Sequence, residues 1–124
     1  MSNDAFLRDT IKKIKNEFDY NYDDMYEIIS SVGDLFASPY LNKSIANIET
    51  IEELWNTLLE VFLSSKSFDN KFESISVMFD IQMYGKKFNI PLELNSLKKW
   101  YNDNEHEHED ILECVEEILL ELSN

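Results

Sequence analysis

Residues 105–109 read Glu-His-Glu-His-Glu, and the only cysteine of the chain, Cys114, follows them. These residue types hold metals and supply nucleophiles, so their spacing decides what they can do. On a helix, His106 and His108 would point about 200° apart, whereas zinc hydrolases need two imidazoles at i and i+4 on one face. Only an extended segment would let both reach one ion, with carboxylates completing the shell. The expectation is a polar connection without a metal, whose imidazoles gain protons near pH 6.5 and lower the local negative charge. Cys114 falls in an acidic helix between Leu112 and Val115, where the surrounding charge raises a thiol pKa and keeps it unreactive. Gly33 and Gly85 are isolated, so no glycine-rich loop cradles a phosphate. Carboxylate pairs are too abundant to single out a general acid and base. No catalytic residue, metal or cofactor is expected, and Trp55 and Trp100 are read as core or core-edge rings.

A second chemistry is recognition. The stretch Phe18-Asp-Tyr-Asn-Tyr-Asp-Asp-Met-Tyr26 puts four aromatic rings and three aspartates into nine positions. Asp23 and Asp24 suit the positive first turn of a helix. Tyr20, Tyr22 and Tyr26 cannot all face the core beside Phe18 and Met25, so some rings are expected outside among the carboxylates. Tyrosine offers rigid contact area and a carboxylate accepts paired hydrogen bonds from arginine. One candidate partner-binding face is therefore Asp19, Tyr20, Tyr22, Asp23, Asp24 and Glu27. The other is Glu109, Glu113, Glu116 and Glu117. There Glu109–Glu113 and Glu113–Glu117 are like charges at i and i+4, which cost an isolated helix a few tenths of a kcal/mol each. A basic partner covering that face would offset the repulsion; a merely solvated acidic face is the plain alternative.

The totals fit a binder better than an anionic-surface reader. The chain has 124 residues and a net charge of −14, from 25 acidic and 11 basic side chains. Nucleic acid and anionic membranes both require positive charge from the protein, so neither is an expected ligand. The acidity is uneven: no Lys or Arg lies between Lys15 and Lys43 or after Lys99, while Lys66 to Lys99 is nearly balanced. One cysteine excludes an internal disulfide and suits a reducing compartment. No signal-like or membrane-spanning run is visible, so a soluble cytoplasmic protein is expected, of unknown oligomeric state.

The elements that must position these residues are helical. Length suits one domain over residues 1–124, and Gly and Pro, two of each, are too scarce for a hairpin-rich sheet. Apolar stripes at the helical period run through Leu7–Phe18, Met25–Phe36, Ile51–Leu63, Phe68–Met83, Leu94–Tyr101 and Ile111–Leu122. Asn3 or Asp4 is read as the first cap, Thr50 with Glu53 as a capping box, Gly85 as a helix stop, and Pro91 as a first-turn residue. A short turn of helix is allowed around Leu41–Ile48. The spacing predicts an all-α domain of five to six helices, as a compact bundle or a short repeat-like stack.

Small size, net acidity, helicity, one cysteine and the Tyr/Asp cluster together resemble bacterial immunity proteins of the contact-dependent growth inhibition and nuclease-bacteriocin types. The resemblance is one of general character, and no family residue is carried over. It implies a non-enzymatic protein that covers the basic substrate-binding or active-site surface of a cognate toxin nuclease. Two other readings compete. One is an acidic nucleic-acid mimic inhibiting a restriction or CRISPR-type enzyme, which needs long regular acidic rows. The other is a small enzyme or metal protein built on His106 and His108.

Overall fold

The computed structural model describes residues 3–19, 25–36 and 45–121. Six helices occupy them: α1 (Asp4–Asp19), α2 (Met25–Phe36), α3 (Ile48–Ser64), α4 (Phe68–Phe88), α5 (Asn95–Asp103) and α6 (Glu109–Glu121). No strand occurs among the described residues. α1 packs on α2 and α3, and α4 packs on the same two, so four helices close a ring; α6 lies on the far side of α4 and carries α5. This is a bundle rather than a stack of consecutive pairs.

The periodic stripes are the buried faces. Leu7, Ile11 and Ile14 of α1, Met25, Ile29, Val32 and Phe36 of α2, and Ile111, Val115 and Ile118 of α6 are all in the core. The Phe18 and Leu122 ends of those stripes fall outside the residues whose side chains are described. α3 buries a broad face including Trp55 and Phe62, both fully inaccessible. Fully burying such side chains contributes about 1.5–3 kcal/mol each. α4 is the most enclosed element, with Ile75, Met78 and Ile81 inaccessible, although Phe68 and Met83 of its stripe stay exposed.

Helix ends depart from the local reading because their partners lie far along the chain. α3 begins at Ile48, so Thr50 lies inside its first turn rather than capping it, and Asn47 makes no side-chain cap. Instead Asp4 of α1 reaches across: its Oδ1 accepts from Asn47 N at 3.1 Å and from Thr50 Oγ1 at 2.5 Å, while Arg8 Nε donates to Oδ2 at 2.7 Å. A carboxylate there suits the positive end of α3. At the other end of α3, Lys71 Nζ donates to the Phe62 carbonyl at 2.6 Å and lies over the Phe62 and Trp100 rings. A cation there complements the negative end.

Gly85 is not the stop of α4. That helix runs on to Phe88 and ends at Asn89, which adopts the left-handed conformation with φ 55°, one that asparagine tolerates. Gly85 is buried within the helix, where a Cβ would meet Leu92 Cδ1 at 3.3 Å, so the returning chain occupies its side-chain space. Pro91 likewise precedes α5 rather than opening it; Glu93 Oε1 accepts from Ser96 N at 3.0 Å and supplies the cap. Residues 45–47 are non-helical, and 41–44 lie outside the described residues.

Gly33 sets the approach of α2 to α4, because a Cβ there would lie 2.9 Å from Val77 Cγ2. A helical valine holds essentially one rotamer and cannot swing away. Gly33→Ala should therefore lower stability by about 1 kcal/mol, an overpacking cost of ~1–3 kcal/mol partly offset by ~1 kcal/mol of helix propensity. Urea unfolding measures this, and Val77→Ala added to Gly33→Ala should restore a normal dependence on size at that contact.

The hydrogen bonds from Thr50 and then Arg8 hold the Asp4 carboxyl below its ordinary value. A depressed carboxylate contributes stability above its unfolded pKa and loses it as pH falls through the folded one. The Tm difference between the native chain and Asp4→Ala should be full at neutral pH and shrink as pH drops below about 4.

Candidate functional site

Carboxylates occupy the outer faces of three helices. On α6 the exposed Glu109, Glu113, Glu116 and Glu117 share the side opposite Ile111, Val115 and Ile118. Among the described residues none of these four pairs with a lysine or arginine. On α2 the exposed Glu27 and Asp34 lie on the side away from Ile29 and Val32. Asp19 ends α1 with its side chain undescribed, and Tyr20, Tyr22, Asp23 and Asp24 lie outside the described residues. Tyr26 is half-buried at the start of α2.

The third face is concave. The outer side of α3 lines a shallow hollow of about 310 Å³ with Glu49, Glu52, Glu53, Asn56 and Glu60, bordered by Lys15 of α1. Lys15 Nζ lies 3.2 Å from Glu53 Oε1, an exposed pair. A single lysine thus borders four glutamates in the hollow, and Arg8, paired with Asp4, also feels the charges of Glu49 and Glu53. A second hollow of about 110 Å³ shares Glu52 and Asn56 with the first and extends to Pro91, Leu92 and Glu93. The Trp55 indole N–H donates to the Glu93 carbonyl at 2.7 Å and anchors this connection against α3. The result is a strip of four glutamates along α3 with Glu93 of the connection beside them, suited to receiving ammonium and guanidinium groups.

The spacing of Glu49, Glu53, Asn56 and Glu60 at i, i+4, i+7 and i+11 was the signal for this face in the sequence. The apolar stripe of the same helix draws attention to the core side instead. α3 and α6 pack separately on α4, so their acidic rows belong to different parts of the bundle and do not merge into one site.

The two histidines have different surroundings. His106 is exposed in the turn between α5 and α6, whereas His108 precedes α6 and its ring meets Phe68 with centroids 4.5 Å apart. No group of three metal-ligating side chains comes together among the described residues. Lys71, half-buried between rings, has its ammonium disfavoured by desolvation, which the charge of Glu107 opposes. Asp80 on α4 is half-buried too, and desolvation raises its pKa.

Cys114 is also half-buried, and burial raises its thiol pKa, with Glu117, Asp110 and Glu113 adding to the effect and a hydrogen bond with Ser76 opposing it. Since the thiolate is the reactive form, the folded protein should react with iodoacetamide at pH 7.5 at least about tenfold more slowly than its urea-unfolded form. Equal rates would mean that neither burial nor charge restrains the thiol.

Comparison with known proteins gives no match to a protein family, a curated protein or a solved structure.

Proposed function

We propose that this protein is a non-enzymatic inhibitor of immunity type, which binds a cognate toxin nuclease and covers its basic substrate-binding surface. The observation that carries this reading is the carboxylate-lined hollow on α3, where four glutamates face one lysine. A nuclease surface that holds phosphates presents lysine and arginine, and arginine pairs with carboxylates in bidentate fashion. The bundle holds the backbone of α3, so binding orders only the glutamate side chains, at about 0.5–1.5 kcal/mol each. In this reading the α6 row, Glu109, Glu113, Glu116 and Glu117, steers the approach, and Glu27 on α2, across the ring from α3, adds only to the general negative field. The net charge of −14 adds long-range attraction for a basic partner.

The test is the affinity for a basic nuclease domain co-expressed from the neighbouring reading frame. A one-to-one complex should form whose Kd rises with salt. Glu52→Lys with Glu60→Lys should weaken it roughly thirtyfold or more through faster dissociation. Glu113→Lys with Glu117→Lys should mainly slow association. Asp23→Lys with Asp24→Lys tests the remaining candidate face. Indifference to salt and to the α3 substitutions would overturn the reading, and capture of a duplex-DNA-processing enzyme would favour a nucleic-acid mimic.

A further inference from the structure

His108 is the residue on which α6 begins, and its side chain makes the cap. Its carbonyl accepts from Ile111 N at 3.1 Å and Leu112 N at 3.0 Å, the bonds expected of an N-cap residue. Its imidazole Nδ1 lies 3.2 Å from Asp110 N, in position to accept that otherwise unpaired N–H. Side-chain acceptors at this position ordinarily come from Ser, Thr, Asp or Asn, which keep their lone pairs across the physiological range. An imidazole accepts at Nδ1 only while neutral, because both ring nitrogens are donors once it is protonated.

The same nitrogen has a second partner nearby. Asp110 Oδ2 is 3.9 Å from Nδ1, beyond hydrogen-bond reach but within a small ring rotation of it. We propose that His108 is a pH-responsive cap, which exchanges the backbone N–H of Asp110 for the Asp110 carboxylate when it gains a proton. In the neutral state Nδ1 accepts from the backbone and closes the first turn of α6. In the protonated state Nδ1–H would oppose the Asp110 N–H, so the ring turns toward Oδ2 and the first turn opens. The rotation also alters the contact with Phe68 at the start of α4.

Charged groups stand around the ring: Glu105, Glu107, Glu109 and Asp110 belong to its own segment, and Glu107 Oε1 also accepts from His108 N at 3.1 Å. On the α4 side, Asp69 follows Phe68, and Lys71 interacts with Glu107. Asp103 at the end of α5 and the neighbouring His106 complete the titratable set. The protonated ring thus has a carboxylate to move to, which distinguishes a switch of partner from simple loss of a cap.

Nitrogen-15 NMR of the full chain from pH 8 to pH 5 tests this. The neutral form should carry its proton on Nε2, and the Asp110 amide should lose about fivefold in exchange protection, relative to intrinsic rates, as His108 titrates. His108→Asn supplies an acceptor at every pH and should abolish that change while keeping protection at pH 5. His106→Gln should leave the change intact, and Asp110→Asn should leave the imidazolium without its new partner and lower the pH at which the turn opens. Asp110 protection that stays constant through the His108 titration, or a pH-dependent loss that survives in His108→Asn, would overturn the proposal.

Discussion

The enclosure of α4 is the constraint on which the molecule depends. Its 21 residues meet α2, α3 and α6, so most of its circumference is covered, chiefly by apolar side chains such as Ile75, Met78 and Ile81. The close seat of Gly33 on Val77 brings α2 in. Gln82 Nε2 donates to the Ile118 carbonyl at 2.7 Å and ties the last turn of α6 to the same helix. Tyr84 accepts Ile45 N–H at 2.8 Å through its hydroxyl and edges onto Phe36. With the centre filled this way, the excess of acidic side chains has only the outer faces of the surrounding helices to occupy.

Long-range polar contacts finish the helix ends that the core leaves open. Asp4 serves the start of α3, Lys71 its finish, and Gln82 the finish of α6. Each matches a charge or donor to an orphan backbone group. Two of these groups are charged, and both have the sign that the helix dipole favours. Lys71 and Lys15 are thereby drawn into structural pairings, and Glu109, Glu113, Glu116 and Glu117 of α6 pair with no lysine or arginine among the described residues. Stability and a one-signed surface are two outcomes of the same placement.

The helices themselves were legible because apolar periodicity reports directly on which side is buried. Leu7, Ile11 and Ile14, or Ile111, Val115 and Ile118, could hardly be read otherwise. The ends were less legible. Thr50-Ile-Glu-Glu53 has the form of a local capping box, yet a carboxylate forty-odd positions upstream occupies that role. Gly85 looks like a stop, but close packing with Leu92 accounts for it and Asn89 makes the left-handed turn. Among the acidic faces, the exposure of Glu27, Glu109, Glu113, Glu116 and Glu117 followed from helical spacing. The two hollows on α3 did not, because one is bordered by Lys15 of α1 and the other by the 91–93 connection, whose positions depend on tertiary packing.

If the α3 face meets the basic partner, its glutamates are covered in the complex. Carboxylate footprinting tests it most directly: an amine is coupled to accessible carboxyl groups by a carbodiimide, with and without the partner nuclease domain, and sites are read by mass spectrometry. Glu49, Glu52 and Glu60 should be strongly protected in the complex, with exposed Asp103 labelled equally in both states. Full labelling of those three glutamates in a saturated complex would contradict it.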